Sequence, residues 1–209
     1  KVYRLCKELG VLRPQRVVKA KYPRKIAINR VVTAPNQLWE TDIKYGYIVG
    51  EDRFFYIQSI IDVYDREIID YHIGLHCEGE DAAATLVRAL MRRNLFDADS
   101  KPVIRSDNGP QFISHKFEDK CASATVEHER IPCKTPNKNA HIESFHRILE
   151  DECLGRWEFE TYKEAYEAVH EFMQRYNNRR IHRSIFNMSP AEFHKATLNG
   201  TARSLVITL

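Results

Sequence analysis

Three acidic residues stand in sequence contexts that suit them to act together. Asp42 lies in the segment WETDI at 39–43, Asp107 in RSDNG at 105–109, and Glu143 in NAHIESFH at 139–146. Three carboxylates that converge can hold two divalent ions a few ångströms apart, the arrangement that drives in-line attack on a phosphodiester. Such oxygen-only ligation favours Mg²⁺ or Mn²⁺. The residue types therefore indicate metal-dependent chemistry on nucleic acid.

Each carboxylate also has a structural explanation when it is considered alone. Asp42 suits a solvent-facing position on a strand, and Asp107 suits a cap on the turn that Asn108-Gly109 predicts. Glu143 is unremarkable by itself, because helices contain many glutamates. Only the three contexts together, with 35 residues between Asp107 and Glu143, favour a catalytic interpretation.

The three contexts and their spacing resemble the catalytic region of DDE transposases and integrases, the family of bacterial insertion-sequence transposases and retroviral integrases. The resemblance covers about residues 36–193, and a weaker one at the start resembles the end of a helix-turn-helix region. It implies that Asp42 bridges two Mg²⁺ (or Mn²⁺) ions, while Asp107 completes one ion's ligands and Glu143 the other's. It also implies DNA cleavage and strand transfer during movement of an insertion element, on element ends and target DNA, by a homodimer or higher oligomer assembled on DNA.

Two other functions remain open from the sequence. One is a nuclease of the same fold that cleaves without joining, such as a resolvase or a ribonuclease H relative. The other is a DNA-binding module that retains the fold but has lost catalysis. The presence of all three carboxylates favours an active enzyme over the second alternative.

Composition limits the setting in which the protein works. No apolar stretch reaches the ~18 to 20 residues that a membrane span requires. The five cysteines are odd in number and lack a CxxC pair, so they are interpreted as reduced thiols. Composition therefore predicts a cytoplasmic protein that is not associated with a membrane, and the resemblance implies that it is bacterial and associated with DNA.

Basic residues near the start of the chain predict contacts with DNA phosphates. No acidic residue lies between Glu8 and Glu40, although the net charge of the whole chain is only +3. The arm at 13–30 is rich in Lys and Arg, and we expect Arg24, Lys25 and Arg30 to bind phosphates. A solvated linker is the alternative.

The helix around Glu143 predicts further DNA contacts. Asn139 and Arg147 lie four residues before and after Glu143, so both are expected on its face and near a DNA phosphate. Lys138 precedes that helix and is a third candidate, and His146 is interpreted as a surface histidine. The resembled family usually has Lys or Arg seven residues after the glutamate, where this chain has Glu150, and Arg147 is the expected substitute.

A second basic cluster, Arg179 and Arg180, is also expected on DNA. It lies at the end of a predicted helix, so the alternative is an interaction of the two charges with the helix dipole.

Periodicity predicts the elements that position these residues. Strands are expected at about 38–46, 53–61, 67–75, 102–106 and 125–130, and helices at about 80–95, after Ser114, and at about 138–153, 162–178 and from Ser189. Short turns join the first three strands and a helix precedes the fourth, so the pattern indicates an α/β sheet of mixed direction. The resemblance implies a ribonuclease-H-like mixed five-stranded sheet flanked by helices. Three regions are expected: the end of a helix-turn-helix region plus a basic arm at 1–35, the catalytic core at 36–155, and a C-terminal helical extension at 156–209.

Overall fold

The computed structural model describes residues 2–11, 24–132 and 135–209. The predicted basic residues between 13 and 21 therefore lie outside the described residues. In chain order the elements are α1 (Val2–Glu8), β1 (Val31–Val32), β2 (Leu38–Ile48), β3 (Arg53–Asp62), β4 (Ile68–Gly74), α2 (Gly79–Arg92), β5 (Val103–Ser106), α3 (His115–Ser123), β6 (Glu127–Arg130), α4 (Ala140–Glu152), α5 (Tyr162–Asn178), α6 (Pro190–Leu198) and β7 (Ile207–Thr208). Within the described ranges no helix is long and apolar enough to cross a membrane.

Five strands form the central sheet, in the order β4-β3-β2-β5-β6. The β2–β3 and β3–β4 pairs are antiparallel, whereas β2–β5 and β5–β6 are parallel. This arrangement confirms the predicted mixed five-stranded sheet. Short turns make β2, β3 and β4 antiparallel neighbours, and the crossover through α2 brings β5 in parallel to β2. Gly46 is required in β2, since a Cβ at this position would lie 2.2 Å from the Phe55 ring.

Helices cover both faces of the sheet. On one face, α2 and α3 pack against Trp39 and Ile60. On the other, α4 and α5 pack against Ile48 and Ile57. Side chains alternate along β2, so the even-numbered positions from 40 to 48 face α4 and α5. Asp42 therefore lies on the α4 side of the sheet.

The helical segment at 156–209 shares its core with the preceding elements. The apolar face of α5 belongs to the same buried cluster as α4 and the central strands. A helix with such a face must bury it, and the open side of the sheet provides the partner surface. Near the chain end, β7 pairs with β1 in an antiparallel two-stranded sheet.

Candidate active site

The pairing of β2 with β5 sets the first two carboxylates side by side. Leu38, Trp39 and Glu40 pair in parallel with Val103, Ile104 and Arg105. Continuing this register by two residues brings Asp42 level with Asp107, which directly follows the last residue of β5.

The loop after β5 holds the Asp107 carboxylate in place. Its Oδ1 accepts a hydrogen bond from the Gly109 backbone N–H at 2.8 Å. A Cβ on Gly109 would lie 3.0 Å from the same oxygen, so a glycine permits this close approach. The Asn108-Gly109 signal thus serves to orient a candidate metal ligand.

Glu40 attaches the helix of Glu143 to the strand of Asp42. Its side chain is fully buried, and Oε2 accepts hydrogen bonds from the backbone N–H groups of His141 and Ile142, each at 2.9 Å. Helix N-termini have free N–H groups that need such acceptors. Glu143 therefore starts from a fixed position relative to Asp42. Sequence reasoning missed this role, although Glu40 shares its strand face with Asp42.

The charges of Asp107 and Glu143 both act on Asp42. The pKa of Asp42 is raised to about 7, mainly by burial and also by the negative charges of Asp107 and Glu143, against the opposing effect of a hydrogen bond from the Ile43 backbone N–H. Burial, followed by the charge of Glu40, raises the pKa of Glu143. Negative charges that raise the pKa of Asp42 lie near it, and a divalent cation would relieve their repulsion. The donor set therefore fits a hard divalent ion.

His146 is buried against this site, so the expectation of a surface histidine is wrong. Its position on α4 turns the ring towards β2, where Nδ1 lies 3.6 Å from Asp42 Oδ2, too far for a hydrogen bond. The pKa of His146 is lowered to about 3, mainly by burial and also by the positive charge of Lys44. The ring is therefore neutral at pH 7 and leaves the charge of Asp42 uncompensated.

Asn139 faces the protein interior instead of the predicted DNA surface. It is 2% exposed, and its side-chain amide donates to the Thr41 carbonyl at 3.4 Å. The reason is local geometry, because the 3₁₀ turn Pro136–Asn139 precedes α4 and the spacing of four residues holds only along an α-helix. Lys138 belongs to the same turn, and its ammonium group donates to Asn29 Oδ1.

The other predicted DNA-binding residues of the helices differ in their surroundings. The Arg147 side chain is 84% exposed and lies 3.9 Å from Asp151. Arg179 is exposed at the end of α5. Arg180 forms an ion pair of 2.5 Å with Glu152 on α4, so it also joins the two helices.

The basic residues at 24–30 run along the edge of the sheet beside β6. Arg24 Nη2 donates to the Ile131 carbonyl at 2.6 Å, and Asn108 donates to the same oxygen at 2.9 Å. Arg24 is thus next to the loop of Asp107. Lys25 is exposed and lies 3.8 Å from Glu127.

Arg30 has a more structural environment than its two neighbours in the basic segment. Its guanidinium forms ion pairs with Glu127 at 2.9 Å and with the buried Glu129 at 2.5 Å. The Arg30 side chain is only 26% exposed.

Another acidic group lies elsewhere in the protein. Within the described residues, Asp65, Glu67 and His194 have possible metal-ligand atoms that all lie within 4.8 Å of one another. The carboxylates of the predicted triad do not all lie this close to one another. Arg93 already pairs with Asp65 and Glu67, at 3.0 Å in each case. Because this guanidinium compensates the two carboxylates, the cluster joins α2 and α6 to the β3–β4 turn.

Comparisons with known proteins point in one direction. The model of the integrase core domain family matches residues 32–136, and a second integrase core domain model matches residues 124–190. The chain is 30% identical over 197 residues to an uncharacterized 39.2 kDa protein of insertion element IS476 from Xanthomonas euvesicatoria, covering 92% of this chain and 54% of that protein. It is 26% identical over 181 residues to the transposase of insertion sequence element IS904 from Lactococcus lactis, covering 84% of this chain and 69% of that protein.

Solved structures show the same fold at low sequence identity. An HTLV-2 integrase catalytic core domain in complex with magnesium has a TM-score of 0.54 and 16% identity, over 77% of this chain and 97% of that one. A chain of the simian T-cell lymphotropic virus intasome, in complex with a PP2A regulatory subunit, has a TM-score of 0.60 and 16% identity, over 84% of this chain and 59% of that one. The ribonuclease-H-like fold that the resemblance implied is confirmed.

Proposed function

The chain belongs to the integrase core domain family, as its sequence predicted, and we propose that it is the catalytic core of a transposase that cuts the ends of an insertion element and joins them to target DNA. The observation that carries the proposal is geometric: the parallel β2–β5 register brings Asp42 level with Asp107, and Glu40 binds the start of α4, which carries Glu143, to the same strand. The relatives from insertion elements support it. Because the chain spans 54% of the IS476 protein, the activity of the complete protein is part of the proposal.

The proposed cofactors are two Mg²⁺ or Mn²⁺ ions. Asp42 would contact both ions, Asp107 one of them and Glu143 the other. When bound, such ions activate the attacking oxygen and stabilise the departing 3′-oxygen. The surplus of negative charge around Asp42 supports this assignment, since no ion pair with Arg or Lys is formed by these three carboxylates within the described part of the chain.

The protein's own groups hold the three ligands in position. Glu40 fixes the start of α4, and the Gly109 N–H orients Asp107. The exposed cations Arg147, Arg24 and Lys25 are proposed to bind phosphates of the element end and the target. Strand transfer requires the element ends and the target DNA to be held together in one complex. For this reason a homodimer or higher oligomer assembled on DNA is proposed.

A strand-transfer assay tests the proposal. The substrate is a labelled duplex carrying the end of the element that encodes the protein, mixed with target plasmid. Joined product is expected with Mg²⁺ or Mn²⁺, none with EDTA, and inhibition with Ca²⁺, whose larger radius changes the coordination geometry. Glu143→Gln should lose both cleavage and joining, whereas the matched control Glu171→Gln, at an exposed position on α5, should retain them.

The alternatives give different results in the same assay. Cleavage without joined product would support the non-joining nuclease. DNA binding with neither cleavage nor joining under Mg²⁺ and Mn²⁺ would support the inactive DNA-binding module. Cleavage that persists in EDTA would refute the two-metal proposal.

A further inference from the structure

Lys44 connects the strand of Asp42 to the helix of Glu143. It lies two residues after Asp42 on β2, so both side chains leave the same face of the sheet. Its Nζ is 2.7 Å from Oε2 of Glu150, which lies seven residues, about two turns, after Glu143 on α4. Lys44 therefore places a positive charge beside the candidate active site.

The ammonium group of Lys44 has capacity for a further partner. It carries three N–H donors. The Lys44 side chain is 29% exposed and the Glu150 side chain is 46% exposed, so both can be reached by a ligand. Its charge reaches His146, whose ring lies against Asp42. A ligand that approaches the three carboxylates along this edge of α4 therefore meets Lys44.

The charge of Glu150 makes the pairing informative. A carboxylate at this position repels a DNA phosphate unless a cation neutralises it. A partly exposed Lys–Glu pair contributes little to stability, so stability alone gives a weak reason for this arrangement. Held by Glu150, the ammonium group has a defined position on the face of β2 that carries Asp42.

We propose that Lys44 binds a DNA phosphate adjacent to the Asp42, Asp107 and Glu143 carboxylates, and that Glu150 positions its ammonium group. The inference rests on the proposed function and deepens it, since it names the residue that grips the substrate at that site. Sequence reasoning assigned this task to Arg147. The Arg147 side chain is 84% exposed and pairs with Asp151 on its own helix, whereas Lys44 on β2 pairs with Glu150 on α4.

Charge swaps separate phosphate binding from a structural ion pair. Lys44→Ala should lower strand transfer by roughly 10- to 100-fold, the range for losing a charge-assisted hydrogen bond while leaving Glu150 to repel the DNA. Lys44→Ala/Glu150→Ala should recover part of that loss, because the repulsion is gone. Lys44→Glu/Glu150→Lys should recover more, because it returns a cation to the same place.

A binding measurement gives a readout that does not depend on catalysis. In EDTA, the affinity for a fluorescent duplex is measured over a range of salt concentrations. Lys44→Ala should flatten the plot of log affinity against log salt by about 0.9, the value for one phosphate contact. Lys163→Ala is the matched control, since it removes the lysine of an exposed Lys–Glu pair on α5 and should change neither slope nor transfer. Thermal unfolding verifies that each variant is folded.

The outcomes distinguish this inference from the proposed function. An active parent with an unchanged Lys44→Ala variant overturns the Lys44 assignment alone. The pair is structural if strand transfer falls equally in Lys44→Ala, in Glu150→Ala and in the charge swap. That result also overturns the Lys44 assignment. A parent that never joins DNA overturns the proposed function, while the salt slopes still decide whether Lys44 contacts phosphate.

Discussion

Replacing Glu40 by glutamine changes the charge of a fully buried side chain with little change in its shape. The glutamine Oε1 can accept the same backbone hydrogen bonds from His141 and Ile142. The start of α4 should therefore stay where it is. The substitution removes the free-energy cost of burying an ionised carboxylate.

The effect on stability depends on pH in a definite direction. Burial raises the pKa of Glu40 from 4.5 to about 7, against the opposing effects of the Ile142 N–H and the charges of Arg105 and Arg66. Below pH 4.5 the carboxyl is protonated in both the folded and the unfolded protein, so its ionisation does not lower the free energy of unfolding. Between pH 4.5 and 7 the unfolded chain loses the proton first, so the parent loses stability as pH rises. The full loss is roughly 3 kcal/mol, at ~1.36 kcal/mol per tenfold change in proton affinity.

Urea unfolding of parent and Glu40→Gln in EDTA, at several pH values from 4 to 8, measures this effect. The difference in unfolding free energy between the two proteins should increase by roughly 3 kcal/mol in favour of the variant across this range. Glu171→Gln, at an exposed position on α5, should give a curve parallel to that of the parent. A difference for Glu40→Gln that stays constant with pH would refute the argument that an ionised Glu40 is costly to bury.

Three further predictions concern the site and its surroundings. In metal-free protein, Glu143→Gln should lower the pKa of Asp42 from about 7, because one of the charges that raise it is removed; a carboxyl-carbon NMR titration that does not move would show that the two groups are not coupled. Changing Arg24 and Lys25 to Ala should flatten the salt dependence of DNA binding by up to about two units, and an unchanged slope would make this segment a linker. Arg30→Ala should instead reduce the unfolding free energy by roughly 1 kcal/mol or more, because the buried partner of Arg30 loses one of its charge-assisted bonds. A variant with full stability in urea would contradict that structural role.

Local patterns in the sequence were sufficient to predict the main elements and to place the three candidate carboxylates on them. Periodicity predicted β2, the strand on which Asp42 lies. The Asn108-Gly109 turn signal located Asp107 at the end of a strand, and the apolar stripe and cap of α5 predicted its observed bounds, 162–178. Each of these signals depends on interactions between neighbours in the chain, which is why a single sequence reveals them.

Tertiary structure decided the contacts between distant segments. Glu40 is buried because the N-terminus of α4, about a hundred residues later, needs an acceptor at that point. Asn139 and His146 turn inwards because a 3₁₀ turn and the packing of α4 on β2 set their directions. Lys44 and Glu150 meet across the same strand–helix contact. No spacing along the chain encodes these meetings, since their energy is realised only when two surfaces pack together.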